Sequence, residues 1–296
     1  GFQYCPPIQA EVLTHPLAGA DAIGRAQTGT GKTAAFLITV INDLLKHPID
    51  VQRFAGEPRA LIVAPTRELA MQIEKDAKVL AKHTDLQVMS VVGGMNFNRQ
   101  QERLQNKLID ILVATPGRLL DFAKRRDLWL DRVEFLVLDE ADRMLDMGFI
   151  HDIKRIISLM PKKRQNLLFS ATFSDDIRHL ARGLLNNPVE IDVAPQNTTA
   201  TKVEQKIHPV DKGRKAALLS HLIHSEGWHQ ALVFSRTKHG ANKLVKLLER
   251  DSIHAAAIHG NKSQAQRTKA LAEFKKGKIQ ILVATDIAAR GIDIDQ

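Results

Sequence analysis

A glycine-rich segment that ends in a lysine and a threonine has the composition of a phosphate-binding loop. Residues 26–33 read Ala-Gln-Thr-Gly-Thr-Gly-Lys-Thr, between a short apolar run and a helical pattern. Glycines let backbone N–H groups converge on a phosphate, the lysine ammonium can contact the β and γ oxygens, and the last hydroxyl suits Mg2+. The alternative is a chance glycine-rich turn, since Ala26 stands where the strict pattern has glycine. We predict that the triphosphate is bound by Thr28, Gly29, Thr30, Gly31, Lys32 and Thr33.

An acidic tetrad, Asp139-Glu140-Ala141-Asp142, follows the apolar run Phe135–Leu138 far downstream of this loop. If that run is a parallel strand, the Asp139 carboxylate emerges at the edge of the sheet where nucleotides bind. There Asp139 can hold Mg2+ with Thr33, while Glu140 acts on the attacking water. An acidic helix N-terminus would explain the carboxylates one by one, but it would leave the glycine-rich loop unexplained. Together, loop and tetrad predict a site for a nucleoside triphosphate and Mg2+, with Lys32, Asp139 and Glu140 as catalytic residues.

Two small hydroxyls follow another apolar run, in the tripeptide Ser170-Ala171-Thr172. They would lie at the same sheet edge as Asp139. Taken alone they are a weak signal, because serine and threonine commonly end strands and cap the next helix.

Short apolar runs alternate with longer amphipathic segments along the chain, as expected when crossover helices join buried parallel strands. We therefore predict a doubly wound α/β fold with parallel sheets flanked by helices. The predicted strands are 20–23, 60–64, 87–91, 109–114, 135–138, 166–169, 189–193, 230–234, 254–258 and 279–284. The clearest helical patterns are 32–45, 67–81, 99–107, 175–185, 238–249 and 264–274.

Two sequence patterns recur at nearly equal spacing, which indicates two copies of one unit. Residues 60–67 resemble 231–237, and residues 109–116 resemble 279–286. The polar stretch Pro-Gln-Asn-Thr-Thr-Ala-Thr at 195–201 has neither helical nor strand periodicity. We predict a first domain over 1–194, a linker over 195–201 and a second domain over 202–296.

The composition suits a globular protein with a polyanionic partner. The chain has 296 residues, of which 44% are apolar, and its 42 Lys and Arg against 33 Asp and Glu give a formal charge of +9. The single cysteine, Cys5, indicates a reducing compartment. No apolar run is long enough to span a bilayer, so we expect a cytoplasmic protein without a membrane partner. The histidines, His259 among them, lack metal-ligand spacing and are expected to be solvated or capping residues.

With these residues in view, nearly the whole chain resembles the DEAD-box ATP-dependent RNA helicases, whose name is spelled by residues 139–142. The resemblance implies two tandem RecA-like domains that bind single-stranded RNA and locally unwind short duplexes. It implies that Phe2 and Gln9 contact adenine, and that Gly291 and Asp293 face the nucleotide. It also gives Ser170 and Thr172, with Asp142, a role in coupling hydrolysis to domain movement.

The resemblance also implies an RNA site made mainly of backbone contacts, with little sequence specificity. Helix N-termini, glycine amides and arginines are suited to holding a phosphodiester chain without reading bases. In the first domain the matching residues are Pro65, Thr66, Arg67, Gly93, Gly94, Thr115, Pro116, Gly117 and Arg118. In the second they are Arg236, Gln264, Arg267 and Thr285.

Finer expectations rest on the same likeness. Residues 231–277 look most like the bacterial RhlE-like subgroup, and protein partners from ribosome assembly or RNA decay are expected. The family's last motif, which carries a catalytic arginine, is missing before Gln296. We therefore expect the second domain to be incomplete and hydrolysis by residues 1–296 to be impaired. A DNA translocase, a P-loop kinase and a non-catalytic ATP-gated RNA clamp remain as alternatives.

Overall fold

The computed structural model describes residues 16–25, 31–49, 52–192 and 204–285. The chain divides into two compact units, Gly1–Gln196 and Asn197–Gln296. Phe2, Gln9, Thr28, Gly29, Thr30, Gly291 and Asp293 lie outside the described residues, and so does the predicted linker. Among the residues that the structure describes, none belongs to a helix long and apolar enough to cross a lipid bilayer.

The first unit is built on a seven-stranded parallel sheet in the order β3-β4-β2-β5-β6-β1-β7. Its strands are β1 (Ala22–Arg25), β2 (Ala60–Val63), β3 (Val88–Val91), β4 (Ile111–Ala114), β5 (Phe135–Leu138), β6 (Gln165–Ser170) and β7 (Val189–Asp192). Its helices are α1 (Lys32–Lys46), α2 (Arg67–Leu80), α3 (Phe97–Asn106), α4 (Pro116–Lys124), α5 (Ala141–Asp146), α6 (Ile150–Ser158) and α7 (Asp175–Leu184).

Helices cover both faces of this sheet, which explains why its strands read as continuous apolar runs. Successive side chains of a strand point to opposite faces, so Phe135 and Val137 pack into one hydrophobic core with α1 and α2. Leu136 and Leu138 pack into a second core with α3 to α7. The sheet is thereby fixed in one register, and the residues at its carboxyl edge are held in defined positions.

The second unit has a three-stranded parallel sheet in the order β8-β10-β9 within the described residues. Its strands are β8 (Ala231–Ser235), β9 (Ala255–Ile258) and β10 (Ile281–Thr285). Its helices are α8 (Lys215–Ser225), α9 (Lys238–Arg250) and α10 (Gln264–Lys275). As in the first unit, helices pack against both faces and produce two separate cores.

The predicted α/β fold with two parallel sheets is confirmed, and each predicted strand overlaps an observed one. The largest shift is at β1, predicted over 20–23 and observed as Ala22–Arg25. The strand extends through Gly24 and Arg25 because these residues pair with β6 and β7 on either side. Glycine and arginine are not typical of an apolar strand, so the end of β1 could not be recognised from the apolar pattern.

Candidate functional site

The candidate nucleotide site lies where the carboxyl ends of β1, β5 and β6 meet. β1 pairs with β6, and β6 pairs with β5, so the residues that follow these strands share one edge of the sheet. The chain leaves β1 and crosses to β2 on the far side of β5 and β6, which makes this edge a topological switch point. Gly31, with φ of 84°, precedes the first residue of α1, Lys32. Only glycine adopts this left-handed backbone without strain.

Lys32 and Asp139 form a buried ion pair at this edge. Lys32 Nζ lies 2.8 Å from Asp139 Oδ1, and the two side chains are 5% and 0% exposed. Asp139 Oδ1 also accepts a hydrogen bond from the backbone N–H of Glu140 at 2.9 Å. Oδ2 is buried and has no hydrogen-bond partner in the part of the chain that the structure describes. A buried carboxylate oxygen left without a donor is suited to a cation.

The donor set at this point fits Mg2+, which prefers oxygen ligands and usually retains several waters. The hydroxyl-bearing Thr33 lies in the first turn of α1, directly after Lys32, and is half-buried. Asp139 supplies the carboxylate, and the N-terminus of α1 adds partial positive charge for a phosphate. A lysine, a hydroxyl and a carboxylate are therefore available for a magnesium-bound triphosphate.

Glu140 has an unusual backbone and a fixed side chain. Its φ and ψ of 53° and 51° place it in the left-handed region, which non-glycine residues rarely occupy. Its Oε2 accepts a hydrogen bond from Arg143 Nη1 at 3.0 Å, and the residue is 4% exposed. Such backbone strain is common where a side chain must be aimed. Arg143 was not singled out from the sequence, because an arginine one turn into a helix has no distinguishing pattern.

Hydrogen bonds connect the end of β5 to the end of β6. Asp142 Oδ2 accepts from both the backbone N–H and the hydroxyl of Thr172, each at 3.1 Å. Ser170 is fully buried, and its hydroxyl donates to the carbonyl of Thr172 at 2.7 Å. Thr172 is therefore joined directly to the acidic tetrad, and Ser170 is joined to it through Thr172.

The predicted RNA residues of the first unit follow three adjacent strands, β2, β3 and β4. Pro65, Thr66 and Arg67 come after β2, and Thr66 caps α2 by accepting from the N–H of Leu69 at 3.3 Å. Gly93 and Gly94 come after β3. After β4, Thr115 precedes α4, whose first residue is Pro116, and Gly117 is open to solvent. Backbone groups of three loops thus line one edge of the sheet.

Gly94 has a backbone conformation that favours glycine, and it lies close to Arg67. Its φ is 73°, and a Cβ atom at this position would overlap the end of the flexible Arg67 side chain, which would have to move. Gly93 differs, because an added Cβ would lie 3.6 Å from the nearest Arg67 atom, an ordinary contact. The loops after β2 and β3 therefore meet at a position where the left-handed backbone favours glycine.

We expect Gly94→Ala to lower the free energy of unfolding by about 1–3 kcal/mol, since a side chain is strained at its left-handed backbone. The displaced Arg67 should also weaken RNA binding. Chemical denaturation and RNA titration measure the two effects. Gly93→Ala is the matched control and should change stability by less than about 0.5 kcal/mol. Equal behaviour of the two variants would contradict this account.

Arg118 is half-buried at the start of α4. Its two terminal nitrogens lie 3.4 and 3.5 Å from the carbonyl oxygen of Met95, in the loop that follows β3. Burial lowers the pKa of the Arg118 guanidinium, and the nearby charge of Asp121 partly offsets this effect. The group stays charged at neutral pH, because arginine titrates far above it.

The predicted RNA residues of the second unit also lie at strand ends. Arg236 is exposed directly after β8, and Thr285 ends β10, whose neighbour is β8. Gln264 and Arg267 lie in the first turn of α10 and are only 6% and 9% exposed. The structure thus places Arg236 and Thr285 on adjacent strands and buries most of the other two side chains.

The expectation that His259 is solvated is wrong, although its ring does accept a hydrogen bond from a nearby backbone N–H. It is 2% exposed, and its Nε2 lies 3.0 Å from Asn242 Oδ1 while Nδ1 accepts from the N–H of Asn261 at 3.3 Å. This pattern requires a neutral ring that donates through Nε2. Its position directly after β9 was visible in the sequence, but burial depends on α9, which a pattern of spacing does not reveal.

Stability should fall with decreasing pH because of His259. Burial, followed by the charges of Lys262, Lys238, His239 and Arg267, lowers its pKa below the usual 6.5. Below pH 6.5 the His259 ring is protonated in the unfolded chain but stays neutral in the folded one. The free energy of unfolding therefore falls by up to about 1.4 kcal/mol per pH unit.

Thermal unfolding between about pH 7.5 and 5.5 measures this dependence. His259→Gln should flatten the curve relative to the unmodified chain, because glutamine does not titrate. His254→Gln, at an exposed histidine just before the same strand, is the control and should leave the slope unchanged. Parallel curves for all three proteins would refute the role of His259.

Comparisons with known proteins agree with this geometry. Residues 6–180 match the family model described as DEAD/DEAH box helicase, and residues 214–296 match the one described as helicase conserved C-terminal domain. The ATP-dependent RNA helicase RhlB of Pseudomonas putida is 52% identical over 297 residues, covering 100% of this chain and 75% of the relative. The RhlB protein of Shewanella halifaxensis is 45% identical over 99% of this chain and 68% of its own length.

Solved structures show the same similarity. A hypothetical ATP-dependent RNA helicase from Sulfolobus tokodaii aligns with a TM-score of 0.58 and 33% identity, over 99% of this chain and 82% of that one. The yeast DEAD-box splicing factor Prp28 aligns with a TM-score of 0.61 and 32% identity, over 99% of this chain and 68% of that one.

Proposed function

This chain belongs to the DEAD/DEAH box helicase family, and from that premise we propose how its residues carry out ATP-dependent RNA unwinding. ATP binds at the edge formed by β1, β5 and β6, and single-stranded RNA binds along the loops after β2, β3 and β4. Hydrolysis at the first site controls binding at the second, so that short duplexes are opened locally. The observation that carries this proposal is the buried Lys32–Asp139 pair, whose second carboxylate oxygen has no hydrogen-bond partner among the residues that the structure describes.

The subgroup expectation needs a correction. Relatives that are 52% identical over the full length of this chain carry the name RhlB, so the finer RhlE-like assignment is not supported. The helicase activity expected from the resemblance is confirmed at the level of the family.

At the ATP site each residue has a distinct task. Lys32 neutralises the β- and γ-phosphates, and the backbone amides of residues 28–31 cradle them. Thr33 and Asp139 would hold Mg2+, which when bound supplies charge to the transferring phosphoryl group. Glu140 orients or deprotonates the attacking water, and its carboxylate is held for this task by Arg143.

Hydrogen bonds between the ends of β5 and β6 couple the ATP site to the neighbouring segment. Asp142 and Thr172 connect the metal-binding strand to β6, so that a change at Asp139 displaces the Ser170–Thr172 segment. By family likeness Phe2 and Gln9 read adenine, and Gly291 and Asp293 approach the nucleotide from the second domain. We assign the domains to 1–194 and 202–296, with 195–201 as the linker.

RNA is held through its backbone in this proposal. The helix N-terminus at Thr66 and the backbone amides of Gly94 and Gly117 offer N–H groups to phosphates. Arginines add positive charge. Arg236 and Thr285 make the same kind of contact from the second unit, with Gln264 and Arg267 supporting them. Partners from ribosome assembly or RNA decay and a cytoplasmic location, suggested by the single cysteine, complete the proposal.

Competition between RNA and DNA of matched sequence tests the substrate class. We expect unlabelled DNA to displace labelled RNA at least about tenfold less well than unlabelled RNA does, because the two polymers differ at the 2′-hydroxyl. Fluorescence anisotropy of the labelled RNA provides the readout. Equal competition by DNA would instead support a DNA translocase.

A further inference from the structure

Two arginines gather on one aromatic ring beside the first unit's RNA loops. The Arg118 guanidinium carbon lies 5.3 Å from the centroid of the Phe97 ring, and that of Arg125 lies 4.6 Å from the same centroid. Both distances are within the range of about 6 Å at which a ring face attracts a cation. Arg118 belongs to the predicted RNA residues, whereas Phe97 and Arg125 do not.

The ring that gathers them is itself fixed. Phe97 is the first residue of α3, and it stacks on Phe122 with centroids 4.5 Å apart and an angle of 24° between the planes. Phe122 belongs to α4 and is fully buried in the second core of the first unit. Arg118 lies 5.9 Å from the Phe122 centroid as well, so both rings contribute to its position.

Neighbouring acids offset this positive charge only in part. Within the described ranges, neither arginine forms an ion pair, although the charge of Asp121 raises the pKa of Arg118. Asp127, which follows α4, is buried and accepts hydrogen bonds from the amide groups of Gln101 and Gln105. Both guanidinium carbons lie within 5.3 Å of one ring centroid, so the two positive charges are near each other and a phosphate beside them is attracted to both.

We propose that Arg125 binds the RNA backbone beside Arg118, and that Phe97 is the positioning residue that holds both guanidinium groups for this contact. The inference rests on the proposed function, in which the loop after β4 touches RNA. A planar guanidinium with free donors matches a phosphate in a bidentate geometry, which explains why arginine is suited to this position.

Salt dependence of RNA binding tests the contact directly. A fluorescein-labelled oligouridylate is titrated with the full chain and a non-hydrolysable ATP analogue, between about 50 and 200 mM KCl. Loss of one phosphate contact to a single strand should reduce the slope of log K against log salt by about 0.7. Arg125→Gln should show this reduction, with Kd raised about threefold to tenfold at the lower salt concentration.

Lys124→Gln is the matched control, because Lys124 is exposed on the same helix and carries the same charge but lies outside the Phe97 contacts. It should change Kd less than about twofold and leave the slope intact. Equal slopes for the two variants would overturn the inference, since only the general field would then matter.

Phe97 is tested with a pair of substitutions. Phe97→Leu keeps an apolar side chain against the core but removes the aromatic face, and should raise Kd for RNA about threefold. Phe97→Tyr retains the aromatic face and should bind RNA as tightly as the unmodified chain does. Thermal unfolding of both variants separates a loss of packing from a loss of position.

The outcomes distinguish this inference from the proposed function. If the unmodified chain binds RNA and Arg125→Gln leaves the slope of log K against log salt unchanged, only the inference is overturned. If Phe97→Tyr binds RNA as weakly as Phe97→Leu does, the positioning role of Phe97 is overturned. Absence of RNA binding by the unmodified chain overturns the proposed function and the inference together.

Discussion

Replacing Lys32 by methionine should abolish ATP hydrolysis and lower the free energy of unfolding by about 3–5 kcal/mol. The second effect follows from burial, because the Asp139 carboxylate has no exposure and would lose its 2.8 Å partner. A buried charge without a counter-charge is strongly unfavourable, so the fold must either admit water to Asp139 or lose stability. Urea denaturation and a steady-state ATP hydrolysis assay measure the two effects.

A double-mutant cycle separates the ion pair from the loss of packing. Asp139→Asn combined with Lys32→Met should be less destabilised than the sum of the single variants, because no unpaired charge remains. Lys46→Met is a control at the exposed end of the same helix and should stay within about 0.5 kcal/mol of the unmodified chain. Additive single variants would show that the pair is not coupled. All Lys32 variants should remain inactive.

The second large effect is expected from Glu140→Gln. If Glu140 acts on the attacking water, the substitution should lower kcat by about 10²–10⁴ while ATP binding changes little. The side chain is isosteric, so the left-handed backbone at this residue is retained. An ATP-gated clamp that never hydrolyses its nucleotide would lose nothing, which makes this variant decisive between an enzyme and a binding module.

Arg143→Gln is the companion to this variant. It leaves the Glu140 carboxylate in place but removes the donor that contacts its Oε2 at 3.0 Å. We expect a loss of less than about tenfold in kcat, since the carboxylate remains available but less well aimed. Quenched-flow measurement of one turnover separates this chemical step from product release. A larger loss in Arg143→Gln than in Glu140→Gln would contradict the assignment of Glu140 as the acting group.

The central strands were predictable because they are buried on both faces. Each of these forms a short run of apolar residues, as at Phe135–Leu138, where prediction and structure coincide. The helices that begin at Pro116, Ala141 and Ile150 were not among the clearest patterns. They are short, and their positions depend on the core beneath them more than on their own periodicity.

The candidate site could be predicted only in part. Residue types indicated that Lys32 and Asp139 belong to one phosphate-binding edge, and the sheet order brings them together. The contact between Gly94 and Arg67 and the pairing of Glu140 with Arg143 could not be read from spacing. Each depends on side-chain direction, which sequence periodicity leaves undetermined.

The pairing of β1 has a consequence for synthesis of the protein. Ala22 pairs with Leu167 on one side and with Val189 on the other, so this strand has no neighbour until most of the first unit has been translated. At ordinary ribosomal rates the delay is on the order of ten seconds. During that interval the nascent chain cannot yet assemble its nucleotide pocket, and its apolar segments are accessible to chaperones.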